Sequence, residues 1–256
     1  MRVDSAGVDG GVAAGGGSAG GASGGGTGAG ASTHAGRDAI DFGVRDCVTL
    51  SGHAARLSGV AFHPGGRLVG TTSFDRTWRL WDIEVGAELL LQEGHAREVY
   101  PIAFHPDGSL VATGDLSGLG RVWDLRSGKS VFLLRGHTRQ MLALDFSPNG
   151  THIASGADDN ACCVWELRQQ RTLYTIPAHA GLVSRVRFAP RSGEFLATAS
   201  FDGTVRLWSG RDFSPIGAPL RGHEGKVVGL DVGFGDEASL LTCGSDRTWK
   251  MWTPGM

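Results

Sequence analysis

The chain has 256 residues, a formal net charge of −2 and a pI of about 6.5, so its charge gives no reason to expect strong binding to nucleic acid or to an anionic membrane. No apolar run reaches the ~20 residues of a membrane-spanning helix, and the N-terminus lacks the apolar segment of a secretory signal. The four cysteines form no C-x-x-C pair, which argues against a zinc site or a disulfide framework. We therefore predict an intracellular protein with reduced thiols, no metal and no cofactor.

The chain begins with a glycine-rich segment. Residues 1–36 hold 14 of the 42 glycines, mixed with alanine and serine. This composition buries too little apolar surface to offset the entropy lost on ordering, and it contains no phosphate-binding G-x-x-x-x-G-K-[ST] motif. We predict that residues 1–36 are flexible and that residues 37–256 form the folded region.

The folded region is built from a repeat. The dipeptide GH, or AH in one case, recurs every 42 to 44 residues, and a tryptophan follows each one 28 or 29 residues later. The markers are His53, His95, His137, His179 and His223, and Trp81, Trp123, Trp165, Trp208 and Trp252. Turn signals such as "FHPDG" and "FSPNG" separate short β-rich runs such as "SLVATGD". Each repeat is therefore predicted to form about four short strands, with repeats at about residues 51–92, 93–134, 135–176, 177–220 and 221–256.

This pattern of GH followed by WD resembles the WD-repeat family, whose repeats form the blades of a β-propeller. The resemblance covers residues 45–253 and implies an all-β fold with five repeats. Two arrangements stay open. In one, a strand at Val44–His53 completes the last blade and closes a ring of five. In the other, which we favour, the repeats are part of a seven-blade propeller, the commoner number in the family.

Polar residues that suggest catalysis recur with the same period. His53, Ser73 and Asp75 have the residue types of a nucleophilic triad, but a catalytic site occurs once whereas this set returns in a later repeat. The family resemblance implies buried hydrogen-bonded tetrads instead, namely His53, Ser73, Asp75 and Trp81 in the first repeat and His179, Ser200, Asp202 and Trp208 in the fourth. The other repeats have Ala157 or Gly244 at the serine position, or the order Asp115 and Ser117, so we expect those three blades to be held less rigidly. We predict no catalytic residues.

Two motifs, "RTWRLW" and "RTWKMW", alternate basic and aromatic residues as a base-stacking surface would. Strand alternation places their tryptophans between neighbouring blades, so we expect packing, with only auxiliary RNA contact through surface arginine and lysine. In this fold, the residue before each turn aspartate and those near the start of each inner strand project onto one rim. Their types are common in protein interfaces, and we predict partner binding by Arg56, Phe74, Tyr100, Leu116, Leu142, Phe201 and Lys226.

Five longer stretches carry a more specific resemblance. "GTTSFDRTWRLWD", "GRVWDLRSGK", "FSPNGTHIASG", "YTIPAH" and "GHEGKVVGLD" are similar, in that order, to the WD-repeat subunits of the U4/U6 small nuclear ribonucleoprotein. The resemblance implies a nuclear, non-enzymatic scaffold of the U4/U6 and U4/U6-U5 particles in pre-mRNA splicing. It implies binding to splicing-factor proteins and a cyclophilin, auxiliary contact with U4/U6 RNA, and neither a membrane nor a small-molecule substrate. The alternative is a general WD-repeat adaptor, such as a ubiquitin-ligase substrate receptor.

Overall fold

The computed structural model describes residues 47–233 and 239–253. Within these ranges the regular structure is all β, as the sequence predicted, and no helix that could cross a membrane is found there. The described strands form five antiparallel sheets, four with four strands and the last with three, here called blades one to five. The predicted flexible segment, residues 1–36, lies outside the described residues.

Each blade is a meander in which consecutive strands pair side by side. In chain order the strands are β1 Leu57–Phe62, β2 Leu68–Ser73, β3 Trp78–Asp82 and β4 Ala87–Gln92; β5 Val99–Phe104, β6 Leu110–Asp115, β7 Gly120–Asp124 and β8 Lys129–Leu134; β9 Met141–Phe146, β10 His152–Ala157, β11 Cys162–Glu166 and β12 Arg171–Ile176; β13 Val183–Phe188, β14 Phe195–Ser200, β15 Thr204–Ser209 and β16 Pro215–Arg221; and β17 Val227–Val232, β18 Leu240–Gly244 and β19 Trp249–Trp252.

A tight turn joins the second and third strands of every blade. In the first blade the turn runs from Ser73 to Thr77, and Arg76 has a φ of 70°. The equivalent residues in the other blades also have positive φ, and they are Gly118, Asn160, Gly203 and Arg247. The Asp75 carboxylate accepts the N–H of Thr77 at 3.0 Å, which closes the turn around the strained residue. The turn aspartate therefore stabilises its own turn, independently of any contact with residues distant in sequence.

The hydrophobic cores lie between neighbouring blades. Between the first and second blades, Trp78 and Leu80 pack with Val111 and Trp123. Three similar clusters join the second blade to the third, the third to the fourth and the fourth to the fifth. Because strand side chains alternate between two faces, an inner blade buries apolar residues against the blade on each side.

The innermost strand of each blade has a register irregularity near its start. Such a bulge leaves the extra residue unpaired and turns its side chain away from the regular alternation of the strand. Ser58 uses this position to donate from Oγ to Val99 O at 2.5 Å, and Ser184 donates in the same way to Val227 O at 2.7 Å. Each serine thereby links its blade to the next blade along the chain.

The first and fifth blades each leave one apolar face uncovered by any described residue. The expectation that the tryptophans of both "RTW" motifs are packed holds for Trp78, which is 1% exposed, and is wrong for Trp249, which is 71% exposed. The strand expected at Val44–His53 is not formed in its described part, residues 47–53, which run beside Gly86 of the first blade. Among the described residues, no fourth strand completes the fifth blade or closes a ring of five in the expected way.

Candidate functional site

In the first blade, four side chains from separate segments form one hydrogen-bonded chain. His53, in the loop before β1, places Nδ1 2.8 Å from Asp75 Oδ2 and Nε2 2.8 Å from Thr71 Oγ1. Trp81 Nε1, on β3, donates to the same Thr71 hydroxyl at 2.8 Å. With a neutral imidazole, Nδ1–H donates to the carboxylate and Nε2 accepts from the threonine, so each group has a partner.

The structure corrects the hydroxyl that the sequence assigned to this tetrad, from Ser73 to Thr71. Both residues point to the same face of β2, but the pairing of β2 with β3 ends at Thr72, so Ser73 already belongs to the turn. The Ser73 hydroxyl donates to Ala55 O at 3.2 Å and accepts the N–H of Asp75 at 3.1 Å. It therefore fixes the turn backbone and does not contact the histidine.

The fourth blade requires the same correction. His179 Nδ1 lies 3.0 Å from Asp202 Oδ2, and its Nε2 lies 2.8 Å from Thr198 Oγ1, which also accepts Trp208 Nε1–H at 3.0 Å. Ser200 Oγ instead donates to a backbone carbonyl of the preceding loop at 3.1 Å. The tetrad hydroxyl of this blade is Thr198.

A hydroxyl residue ten positions before the tryptophan is the signal that sequence reasoning missed. It occurs in all five repeats, as Thr71, Thr113, Ser155, Thr198 and Thr242. The position two residues later varies among serine, aspartate, alanine and glycine. The constant position is therefore the one that contacts the histidine, and the variable position belongs to the turn.

The second blade keeps its histidine contacts in spite of its exchanged residues. His95 Nδ1 lies 3.1 Å from Asp115 Oδ2, and its Nε2 lies 2.7 Å from Thr113 Oγ1. Asp115 stands two residues earlier than the turn aspartates of the other blades, and Ser117 N donates to its Oδ1 at 2.8 Å. One carboxylate thus satisfies both the imidazole and the turn, which makes an aspartate at position 117 unnecessary.

The fifth blade is also complete, because its hydroxyl is Thr242 and Gly244 has no part in the tetrad. His223 Nδ1 lies 2.7 Å from Asp246 Oδ2, and its Nε2 lies 2.8 Å from Thr242 Oγ1. Trp252 Nε1 donates to Thr242 Oγ1 at 3.0 Å. These contacts match those of the first blade.

The third blade differs in one bond. His137 Nδ1 lies 3.0 Å from both oxygens of Asp159, and its Nε2 lies 2.5 Å from Ser155 Oγ. Trp165 Nε1 is buried and has no hydrogen-bond partner among the residues that the structure describes. Of the three blades expected to be held less rigidly, only this one lacks a tetrad bond, and the missing bond is that of the tryptophan.

The pKa values of the tetrad histidines also differ between the third and fourth blades. Burial alone would lower the pKa of His137, but hydrogen bonds with Asp159 and Cys163 raise that pKa to about 9. The pKa of His179 is lowered, first by burial and also by the charge of Arg206. Arg206 and Cys163 occupy the same place, two residues before the tryptophan of their blades.

The aspartates of the tetrads are ionised over the whole neutral range. Burial opposes ionisation of Asp75, but hydrogen bonds from Thr77, His53 and the N–H of Ala54 hold its pKa well below the usual range. Hydrogen bonds lower the pKa of Asp202 in the same way, against the effect of burial. Each tetrad therefore places a carboxylate, not a carboxylic acid, against its imidazole.

We interpret the tetrads as structural groups. The contact of hydroxyl, imidazole and carboxylate is that of a nucleophilic triad, but it is present in all five blades, and in four of them a tryptophan occupies the hydroxyl as well. Each tetrad ties the loop before a blade to its second strand, and in four blades the tryptophan bond also ties in the third strand. No group of three or more His, Cys, Asp or Glu in the described ranges is placed to hold a metal ion.

Four of the seven residues predicted to bind partners form two pairs at the end of the blades where the tight turns lie. The Arg56 guanidinium carbon is 3.8 Å from the centre of the Phe74 ring. Lys226 Nζ is 4.9 Å from the centre of the Phe201 ring, and this pair joins the fifth blade to the fourth. Both cations are exposed and both rings are half-buried, so the pairs present ordered aromatic and basic surface.

The other three predicted partner residues take different positions. The N–H of Leu116 donates to Glu98 O at 2.9 Å, the same backbone link that joins Phe74 to Arg56 in the first blade. Tyr100 and Leu142 stand on innermost strands and line a cavity of about 630 Å³. The seven predicted residues are thus divided between the turn end of the blades, called the rim below, and the cavity of the innermost strands.

Comparison with known proteins adds a family and three relatives. The family model described as WD domain, G-beta repeat matches residues 45–82, 87–124, 128–166, 170–209 and 214–253. A U4/U6 small nuclear ribonucleoprotein PRP4-like protein of Arabidopsis thaliana is 56% identical over 64 residues, or 25% of this chain and 11% of that protein. The U4/U6 small nuclear ribonucleoprotein PRP4 of Saccharomyces cerevisiae is 51% identical over 51 residues, or 20% of this chain and 11% of the yeast protein. Nuclear distribution protein nudF 2 of Penicillium rubens is 46% identical over 39 residues, or 15% of this chain and 8% of that protein.

Proposed function

Because the chain belongs to the WD-repeat family and resembles the PRP4 proteins, we propose that it is a nuclear scaffold of the U4/U6 small nuclear ribonucleoprotein in pre-mRNA splicing. The observation that carries the proposal is identity of 56% and 51% to two U4/U6 ribonucleoprotein subunits, one from a plant and one from a yeast. The matched segments span about a tenth of those relatives, at 11% of each, so the role of the whole particle subunit is part of the proposal.

The proposed role is non-enzymatic. The hydroxyl, imidazole and carboxylate groups of the tetrads are engaged with one another, and burial withholds the histidines from a substrate. A scaffold needs binding surface, which the rim offers through the Arg56–Phe74 and Lys226–Phe201 pairs. Aromatic and basic side chains of this kind dominate the binding energy of many protein interfaces. The proposed partners are splicing-factor proteins, including a cyclophilin.

Contact with U4/U6 RNA is proposed as auxiliary. The net charge of −2 cannot supply the strong, salt-dependent attraction that phosphate binding produces in basic proteins. Arg76 and Arg247, at the tight turns of the first and fifth blades, are exposed and stand at the same end as the rim pairs. RNA held mainly by other subunits would meet these two guanidinium groups.

Affinity purification from nuclear extract tests the proposed function. The tagged protein should recover U4 and U6 RNAs together with splicing proteins. Recovery of ubiquitin-ligase subunits without these RNAs would instead assign the chain to the general adaptor class. Phe74→Ala combined with Phe201→Ala should reduce recovery at least tenfold, since each truncation removes an aromatic contact worth more than about 1 kcal/mol at an interface.

The matched control is Tyr174→Ala. Tyr174 is aromatic and 42% exposed, but it lies on the outermost strand of the third blade, away from the rim. This variant should recover the particle as well as the unmodified chain does. Equal loss in the control and in the double variant would remove the rim from the proposal while leaving the splicing assignment to be judged from the recovered RNAs.

A further inference from the structure

The cavity of the innermost strands has the size of a ligand-binding site. Its volume of about 630 Å³ lies within the ~300–1,000 Å³ that is typical of such sites. Tyr100, Leu142 and Arg185 form part of its wall, and they belong to the second, third and fourth blades. Each of these blades packs against a described blade on both sides, so this part of the wall lies inside the row of blades.

Arg185 distinguishes the fourth blade within this wall. It is exposed and follows the bulge at the start of β13, where it pairs with Ala199 of β14. The equivalent residues of the other innermost strands are uncharged and small or cyclic, namely Gly59, Pro101, Ala143 and Gly229. The architecture of a blade therefore does not require an arginine at this position.

The charge of Arg185 has no counter-ion among the residues that the structure describes. Its Nη1 donates to Ser184 O at 3.2 Å, which is a neutral acceptor. Arg187, two residues farther along β13, differs, because its Nη1 lies 3.5 Å from Asp145 Oδ1 and its Nε lies 3.4 Å from Asp231 Oδ1. Arg185 therefore keeps a full positive charge and most of its five N–H donors for a ligand.

The wall beside Arg185 is mainly apolar. Tyr100 and Leu142 are half-buried in it, and Pro101 and Ala143 follow them on the same strands. The hydroxyl group of Tyr100 forms no hydrogen bond with a described residue, so it is a further donor. Ligand sites are commonly cavities of this kind, in which apolar walls supply contact area and a few polar groups select the ligand.

The chemistry of Arg185 favours a carboxylate as the ligand. A guanidinium group can donate two parallel hydrogen bonds to the two oxygens of a carboxylate, and each ion carries a single charge. The carboxylates of Asp145 and Asp231 lie against Arg187, whose Cα is roughly 7 Å from that of Arg185 because the two residues are two apart on one strand. They would repel a second negative charge, such as that of a phosphate monoester.

We propose that the cavity of the innermost strands binds an acidic side chain of a partner protein, with Arg185 holding its carboxylate. Tyr100 and Leu142 then contact the apolar residues that flank the acid in the partner, and water leaves both surfaces. A protein segment fits this wall better than a free acid does, because it brings the charge and the apolar flanks together. The site is separate from the rim, and its chemistry does not depend on the splicing assignment.

Two peptides that differ in one group test the proposal. The full chain is titrated with acetyl-ALELA-amide and with acetyl-ALQLA-amide, and binding is followed through backbone amide shifts in nuclear magnetic resonance. The glutamate peptide should bind at least about tenfold more tightly, since hydrogen bonds between ions are stronger than those to a neutral amide. The shifts should concentrate on β5, β9 and β13. Arg185→Ala should abolish the preference for glutamate, and the third blade already has Ala143 at this position.

Arg171→Ala is the matched control, because Arg171 is an exposed arginine on β12, the outermost strand of the third blade, and its loss should leave the preference unchanged. Circular dichroism checks that each variant is folded, and Arg185→Gln replaces Arg185→Ala if the latter is not. Equal binding of the two peptides, binding of neither, or an equal loss of preference in both arginine variants overturns the proposal. Tighter binding of a phosphoserine peptide than of the glutamate peptide, or binding of a uridine pentanucleotide but of neither peptide, overturns it as well and assigns Arg185 to phosphate or to RNA.

Discussion

The third and fourth blades contain the same tetrad in two chemical settings. In the fourth, Thr198 bonds both His179 and Trp208, and Arg206 lies two residues before the tryptophan. In the third, a serine replaces that threonine and a cysteine replaces that arginine, while the strands and their order are unchanged. The comparison shows that a blade keeps its fold when one tetrad hydrogen bond is missing and a nearby charge is changed. The contribution of the tetrad to stability and the pKa of its histidine can therefore differ between blades with the same strands.

Removing the tetrad hydroxyl should have the largest effect, and a larger one in the fourth blade than in the third. Thr198→Val leaves His179 Nε2 and Trp208 Nε1 without partners, at a cost of about 1–3 kcal/mol for each buried group. Ser155→Ala removes the partner of His137 alone, because Trp165 Nε1 already has none. The free energies of unfolding measured in urea should therefore fall more for Thr198→Val.

Thr172→Val provides the matched control for these variants. Thr172 is an exposed threonine on β12, and its replacement should change the unfolding free energy by no more than about 0.5 kcal/mol. Equal losses for Thr198→Val and Ser155→Ala would show that the tryptophan bond contributes nothing to the fourth blade. That result would remove the difference between the two tetrads.

The second prediction concerns protonation, since one pKa unit corresponds to about 1.4 kcal/mol. The pKa of His137 is raised to about 9, so the stability it contributes is complete below pH 6.5 and is lost as the pH rises through 9. The pKa of His179 is lowered, so its contribution is present above the unfolded pKa and is lost as the pH falls below about 6.5. The two blades therefore respond to pH in opposite directions.

Nuclear magnetic resonance titration of the imidazole carbons measures both values directly. His137 should remain protonated at pH 8, and the pKa of His179 should lie below the usual histidine value. Arg206→Ala should move the pKa of His179 upward, because the variant removes a nearby positive charge. If the two histidines titrate together, or if the pKa of His179 does not change in that variant, the contrast assigned to Cys163 and Arg206 is wrong.

The sequence predicts the blades well because their signals are local. Strand alternation, the turn aspartate and the repeat length all act within a few residues of one another, and the five sheets appear where the repeats place them. The tetrad hydroxyl could also have been predicted, because every repeat has a hydroxyl residue ten positions before its tryptophan. Ser73 was assigned instead of Thr71 because it matched the family pattern. The position of Ser73 varies among the repeats, and that variation is the sign that it belongs to the turn and not to the tetrad.

Other features depend on contacts that no local pattern encodes. Trp78 and Trp249 lie in nearly identical motifs, and only the presence of a following blade decides that one is buried and the other exposed. Lys226 and Phe201 likewise lie in neighbouring blades and are distant in sequence, yet their side chains are in contact. Burial and partner identity at such positions arise from the assembly of blades, which periodicity does not specify.

The smallest effect is expected from restoring the missing bond in the third blade. Ser155→Thr gives this blade the residue that the other four have, and the added methyl group restricts the side-chain rotamer so that the hydroxyl can accept Trp165 Nε1–H while still contacting His137. Satisfying a buried N–H should raise the unfolding free energy by about 1 kcal/mol in the same urea experiment. Serine-to-threonine replacement at Ser130, which is exposed on β8, is the control for the added methyl and should be neutral. A loss of stability in Ser155→Thr would mean that the added methyl group has no room on the face of β10 that packs against the second blade, and that the third blade requires a serine there.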